Sequence, residues 1–371
     1  MNNRARSTRE AKDVLRRVLQ GELGFELNVQ QVESRDDSRY DFVVEAKSGR
    51  ARFRFGVKVV SRITPQVALA TFQAMRPQPK KRVPVLYAPV VSPRVAEIAR
   101  SHGVSFIDQA GNCRLEDRDH CILVERRGFQ NERRPTPPAA DPFSTKSSRI
   151  VRALLSGGVE GWRTRALAAH PDVDVSAGLV VKVKRALIEE GYAVEHEKRL
   201  YLRDPVALLN AWAASYSGPN EEVAIYLRGD PAASERSVSQ WCEGHGLRYA
   251  LAGFSAAWRL APEVRYSVAA AYVEDRAFEP AMLAKFEHEQ GAKRVETGAN
   301  LLLWRPSDAM VFAWSGPFDS APSVTSDVQT FLDLNRMAGR AKDAAEAVYK
   351  KCLAQRLGAA AKHAEVLAHA V

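Results

Sequence analysis

Cysteine is scarce: Cys113, Cys121, Cys242 and Cys352 are the only four in 371 residues. They form no CxxC pair and have no histidine at metal-ligand spacing. That argues against a disulfide framework and a zinc site, and leaves four buried thiols in a reducing compartment as the expectation. No apolar run approaches the roughly eighteen residues of a membrane span, and the stretch from Asn2 through Arg17 is polar and charged. A soluble, cytoplasmic chain with no membrane partner is therefore expected. The sequence contains no glycine-rich phosphate loop, no HExxH helix and no GxSxG elbow, so no catalytic residue, metal or cofactor is expected from motifs. Acidic residues are in deficit, with 44 Asp and Glu against 54 Lys and Arg, a formal charge of +10. That balance favours a polyanionic partner.

What is present is ordinary globular composition, 46% hydrophobic and 26% charged, in a chain long enough for two or three cores. The expected architecture is a multidomain α/β and α+β protein. Residues 1–128 read as an α/β domain and 129–145 as a linker carrying Arg133, Arg134, Pro135, Pro137, Pro138 and Pro142. Residues 146–216 read as a separate domain of three helices and a hairpin, and 220–371, after Ser217-Gly218-Pro219, as a second α/β domain ending in helices.

The segment from Lys146 to Arg203 lays out the parts of a winged helix-turn-helix. Ser147-Ser148 precede an apolar helix, Ile150 to Leu155, and Gly157-Gly158 predict a left-handed cap at its end. A second helix is predicted from Trp162 to Ala169, broken by His170-Pro171-Asp172, and a third from Ser176 to Glu190, stopped by Gly191. Tyr192 to Glu195 and Leu200 to Arg203, joined through Glu197-Lys198, read as the wing. At 100° per residue, Leu179, Val180, Val183, Ala186 and Leu187 share one side of the third helix. Gly178, Val181, Lys182 and Arg185 lie opposite, with Lys184 at the flank. A helix with one buried and one basic face suits the major groove, its N-terminal residues at base edges and its cations at phosphates. Ser176, Ala177, Lys182, Lys184 and Arg185, with Lys198 and Arg199 of the wing, are the candidate contacts to double-stranded DNA. Winged helices of this size commonly work in pairs on repeated half-sites, so a homodimer is expected.

In the first domain a helix is predicted over Arg9–Leu19, and strands over Tyr40–Lys47 and Arg50–Val60 with a turn at Ser48-Gly49. Pairing Lys47 with Arg50 sets Glu45 against Arg52, Phe42 against Phe55 and Asp41 against Gly56. Helices at Pro65–Met75 and Pro93–His102 then alternate with strands at Val83–Ala88, Val104–Ile107 and Cys121–Glu125, and Lys80, Lys81 and Arg82 form a basic run. The arrangement resembles the PD-(D/E)xK nuclease fold in its motif region, with Asp41 at the metal-binding aspartate and Lys58 at the motif lysine. Gly56 stands where that fold has glutamate, so the resemblance implies a degenerate, restriction-endonuclease-like domain short of a metal ligand. Val85-Leu86-Tyr87-Ala88-Pro89, then Gly103 to Asp108, then Ala110-Gly111-Asn112 are similar to a "pvlvaP…gi.fiD.aGN" segment of AbiEi-family antitoxins of type IV toxin-antitoxin systems, where it precedes a winged helix. Thr330 to Leu334 and Gly339-Arg340 extend the likeness more loosely. Physically, Asp108 to Asn112 read as a turn with the Asp108 carboxylate bonding N–H groups ahead of it.

The last third is expected to alternate strands and helices, with strands at Val223–Leu227, Tyr249–Leu251, Tyr266–Val273, Arg294–Thr297, Leu301–Trp304 and Met310–Trp314. Closing helices are predicted at Val324–Leu334 and Lys342–Leu357. Arg228-Gly229-Asp230 reads as a plain β-to-α turn, and Arg259 and Arg265, flanking Pro262, as contacts for an anionic ligand or as surface partners of Glu263. Trp258, Trp304 and Trp314 are candidates for core or a partner-facing patch. Together these readings predict a sequence-specific transcriptional regulator that represses an operon by occluding its operator, with a cognate toxin implied by the resemblance. The competing readings are a metal-dependent nuclease using Asp41, Lys58 and a displaced carboxylate such as Glu45, and a toxin-binding factor that does not bind DNA.

Overall fold

The structure, a computed structural model, describes residues 3–31, 39–49, 51–75, 82–117, 122–130, 140–313 and 322–369. Arg50, Lys80, Lys81, Cys121, Arg133, Arg134, Pro135, Pro137, Pro138 and Trp314 lie outside the described residues. The chain is a mixed α/β protein of several sheets. It divides into two compact units, residues 1–138 with 189–191, and the remainder of 139–371.

The first unit runs α1 (Asn3–Leu15), β1 (Glu26–Gln31), β2 (Phe42–Ser48), β3 (Ala51–Val59), α2 (Pro65–Ala74), β4 (Val83–Ala88), α3 (Pro93–Ser101), β5 (Ser105–Asp108), β6 (Cys113–Asp117) and β7 (Ile122–Arg126). These strands make one seven-stranded sheet in sequential order. β1 to β3 are antiparallel, β3 to β5 parallel through the α2 and α3 crossovers, and β5 to β7 antiparallel. Alternation along the strands divides the core. Val85 and Tyr87 join Ala11, Leu15 and Val18 of the N-terminal helical segment on one face, while Leu86 and Ala88 meet Phe72, Val95 and Ile98 of α2 and α3 on the other. Both crossover helices start on a capping hydroxyl followed by proline. Thr64 Oγ1 accepts the Val67 N–H and Ser92 Oγ the Val95 N–H.

The pairing of β2 with β3 corrects the sequence register by two residues. Lys47 opposes Arg52, Glu45 opposes Arg54, Phe42 opposes Val57, and Gly56 faces Val43 rather than Asp41. The hairpin closes one residue later than expected, with Ser48 paired to Ala51 and Gly49 at φ +58. A shift of two leaves every side chain on its predicted face, so the hydrophobic pattern could not detect it. β1 and β6 were not anticipated.

The second unit begins with α4 (Thr145–Ser156), β8 (Trp162–Arg163), α5 (Thr164–Ala168), α6 (Ala177–Glu189), β9 (Ala193–His196) and β10 (Arg199–Leu202). β8, β10 and β9 form a three-stranded antiparallel sheet in that order. Trp162 and Arg163 are therefore strand, not the predicted helix start. Gly157 is also corrected: it sits at φ −74, ψ 169, an extended and not a left-handed conformation. Glycine is needed there for space, since a Cβ would come within 2.9 Å of Trp162 Nε1 and 3.1 Å of the Ala153 carbonyl.

There follow α7 (Pro205–Ser215), β11 (Glu221–Tyr226), α8 (Pro231–Gly244), β12 (Tyr249–Leu251), α9 (Gly253–Leu260), β13 (Ala269–Val273), α10 (Pro280–Gln290), β14 (Lys293–Arg294), β15 (Leu301–Arg305), α11 (Asp327–Arg336), α12 (Ala341–Val348) and α13 (Ala354–His369). The five strands order β12-β13-β15-β11-β14, with β13 and β15 parallel and the other pairs antiparallel. Ala309–Phe312 is a 3-10 turn where a strand was predicted. Where the sequence separates 146–216 from 220–371, a single hydrophobic cluster draws Ile150, Leu155, Val183, Leu208 and Trp212 together with Phe331, Leu332, Val348 and Leu357. The pattern marks which faces are apolar, and the partner of each face is a long-range choice that local periodicity does not carry.

Candidate nucleic-acid interface

α6 stands between a buried and an open side. Val180, Val183, Ala186 and Leu187 are buried and Leu179 half-buried, while Ser176, Ala177, Gly178, Val181, Lys182 and Arg185 are exposed. The open face carries a 49% exposed valine, Val181, between its polar groups. Ser176 begins the helix as expected of a cap, its Oγ accepting the Leu179 N–H at 3.2 Å. The connection into α6 is held from beneath. Arg149 of α4 donates from Nη1 to the Val173 carbonyl at 3.4 Å, and its Nε meets Asp308 Oδ2 at 2.7 Å.

The other candidate contacts differ in how free they are. Lys184 is half-buried and its Nζ lies 2.9 Å from Glu195 Oε1 of β9, which fixes the helix to the hairpin. Arg199 spends Nη1 on the carbonyls of Glu160 and Gly161, at 3.1 and 3.2 Å, bracing the start of β8. Lys198 is exposed at the tip of the β9–β10 turn, where Glu197 and Lys198 both adopt left-handed backbone, at φ 47 and 62. A two-residue turn with both residues left-handed matches the twist of a hairpin. Arg163 and Arg165, exposed at the start of α5, add two cations that the sequence reading did not single out.

In the first unit, Asp41 and Lys58 do come together, with Lys58 Nζ 3.7 Å from Asp41 Oδ2. The same oxygen accepts the Val59 backbone N–H at 2.8 Å. The position expected to bear a glutamate is closed: a Cβ on Gly56 would lie 2.8 Å from the Tyr40 ring. Tyr40 is itself buried, and Glu45 is engaged with Arg54 at 2.7 Å. These residues do not fit a divalent metal, since the Asp41 and Glu45 carboxylates are both already engaged and the second motif position is filled by an aromatic ring. Among the described residues, no group of three His, Cys, Asp or Glu is placed to hold a metal ion. Asp108 is buried and forms a turn: its Oδ1 accepts the N–H groups of Gly111 and Asn112, and Oδ2 the Asn112 amide, all at 2.9 Å.

A buried polar cluster in the second unit was missed. Asp333 of α11 accepts from Tyr272 Oη at 2.8 Å and Gln329 Nε2 at 2.7 Å, while Gln329 Oε1 accepts from Arg152 Nη2 at 2.6 Å. Tyr216 Oη accepts from Gln329 Nε2 at 2.8 Å. Burial pushes the Asp333 carboxyl up to about 7, against hydrogen bonds from Tyr272 and Gln329 and the charge of Arg152. Burial also lowers the Arg152 guanidinium below its ordinary value and raises both tyrosines. The signal was in the sequence, as one charge inside each of two apolar runs, Ile150-Val151-Arg152-Ala153-Leu154 and Phe331-Leu332-Asp333-Leu334. Elsewhere Arg259 pairs at 2.7 Å with the buried Glu235, not Glu263. Gly229 and Asp230 form a β-to-α turn in which Asp230 Oδ1 accepts the Ala233 N–H. Trp304 is buried and Trp258 is 39% exposed.

Residues 199–354 match the model of the family described as "Transcriptional regulator, AbiEi antitoxin, Type IV TA system". No curated protein matches the chain, and no solved structure does. The matched span starts at β10 and contains Tyr216, Tyr272, Gln329 and Asp333 as well as the Thr330 to Arg340 segment; α6 and the whole first unit lie outside it. Among the described residues, no helix is long and apolar enough to cross a membrane.

Proposed function

We propose that this chain is a DNA-binding transcriptional regulator of the AbiEi antitoxin type, that residues 145–204 form a winged helix-turn-helix, and that α6 enters the major groove. The observation that carries the reading is the exposed face of α6, where Ser176, Ala177, Gly178, Val181, Lys182 and Arg185 stand clear of the core on one stripe. The succession of α4, β8, α5, α6 and a β9–β10 hairpin, with β10 central in the sheet, agrees with it. So does the similarity of residues 199–354 to a family of transcriptional regulators. In this reading Lys182 and Arg185 contact DNA directly, Lys198 contacts phosphate from the wing, and Lys184 and Arg199 chiefly hold helix and wing in place. Bound at its own operator, the protein represses by occlusion, as a homodimer on repeated half-sites.

The test is fluorescence anisotropy with DNA from upstream of the gene. K182A/R185A is expected to weaken specific binding by roughly 10- to 100-fold, while K198A weakens all DNA binding and lowers the salt slope by about one. Wild-type affinity and slope in both variants would overturn the assignment. The antitoxin part rests on the matched family's description, and copurification with the product of an adjacent toxin-like gene tests it separately. The first unit is taken as noncatalytic, its Asp41–Lys58 pair standing without a carboxylate at position 56. Magnesium-dependent cleavage that disappears in Asp41→Ala would reverse that reading.

A further inference from the structure

A cavity of about 170 Å³ lies in the second unit, bounded by α4, α7, β13 and α11. Its inner wall holds Arg152, Tyr216, Tyr272 and Gln329, one side carries Phe143 and Trp212, and the Arg149–Asp308 pair completes the lining. The mouth is rimmed by exposed Ser215, Ser217, Asn220 and Ser307, so small solutes can reach it.

The two arginines of the cavity are not equally paired. Arg149 has its carboxylate, Asp308, at 2.7 Å. Arg152 has none: it is 6% exposed, its Nη2 bonds only the neutral Gln329 amide, and its Nη1 is buried without a hydrogen-bond partner. Trp212 lies under this guanidinium, 5.1 Å from ring centroid to Cζ, which keeps water from one side. The nearest carboxyl in the network, Asp333, is reached through Gln329, which donates to it while accepting from Arg152. A buried cation with an unused donor is costly unless an anion meets it. Arg is also the side chain best shaped to bind a planar or tetrahedral oxyanion.

We propose that this cavity is a binding site for a small oxyanion, a carboxylate- or phosphate-bearing metabolite whose anionic group meets the Arg152 guanidinium and whose body lies against Trp212 and Phe143. The volume is well below the roughly 300–1,000 Å³ of sites for drug-sized ligands, which limits the guest to a compact molecule. The site also communicates with α6, because Arg149, on the cavity wall, holds the Val173 carbonyl in the turn before that helix.

The site is tested on the full chain without DNA, so its failure is separate from failure of the DNA-binding reading. Thermal unfolding and Trp fluorescence are followed while sodium acetate, and separately sodium phosphate, replaces sodium chloride at constant ionic strength. A saturable rise in Tm with at least one anion, accompanied by a saturable fluorescence change, is expected of the wild type; which anion acts tells carboxylate from phosphate. R152Q, which keeps a polar group beside Gln329, and M310W, which adds bulk to the cavity wall and leaves Arg152 in the chain, are each expected to lose the response. If R152Q does not fold, M310W alone decides. A wild type that responds to neither anion, or a folded variant that keeps the full response, overturns the proposal.

Discussion

Asp333 shows how one carboxyl can set a pH dependence. Its ordinary value is 3.8 and burial raises it to about 7 in the folded chain. Between those values the folded protein holds a proton that the unfolded chain has already released. Stability from this group is therefore full below about pH 4, falls as pH rises through the interval, and levels off above about 7. The slope attributable to one proton is at most ~1.4 kcal/mol per pH unit. D333N cannot titrate, and its urea-unfolding free energy is expected to lack this fall between pH 4 and 7. An unchanged slope would mean that Asp333 is ionised throughout. Burial decides the direction because the carboxylate's second oxygen, Oδ2, finds no partner in the core. The sequence placed a charge in an apolar run at 333, but the tyrosines that bond it, at 216 and 272, are distant in the chain and no spacing rule joins them.

Among the elements, the β9–β10 hairpin is the most tunable. Glu197 and Lys198 both hold left-handed backbone, which side chains other than Gly and Asn adopt at a cost. Replacing the pair with Asn-Gly is expected to raise stability by about 1 kcal/mol and, by removing Lys198, to weaken DNA binding; opposite shifts in Tm and affinity would be the signature. A variant that is no more stable would show that the turn is held by its surroundings. Local chemistry of this kind was legible beforehand. The β9–β10 turn, the Ser176 cap, the divided faces of α6, the Asp108 turn and the stop at Gly191 were all readable from residue type and period. Pairing was less legible: β2 and β3 slipped by two residues because period-two alternation looks the same in both registers, and β8 was too short to show any period. Gly56 illustrates the boundary. Its missing carboxylate was visible in the sequence, but the burial of Tyr40 over it was not.

At the scale of the molecule, the continuity of the core from α4 to α13 matters more than the boundary expected near residue 217. Leu208, Leu209 and Trp212 are buried in a cluster with Phe331 and Leu332, and Arg152 bonds Gln329. A fragment of residues 140–216 would expose Leu208 and Leu209, each worth ~1.5–3 kcal/mol of burial, and strand the Arg152 charge. It is expected not to fold, whereas residues 140–371 should unfold cooperatively by circular dichroism and retain operator binding. A stable, DNA-binding 140–216 fragment would contradict this. The exposed stripe of α6 has the opposite character. Ala177, Gly178, Val181, Lys182 and Arg185 contribute little to the core that holds the helix in place. If α6 reads DNA as proposed, selection can rewrite those positions with little loss of folding, so that descendants of one scaffold acquire new targets through few and nearly independent substitutions.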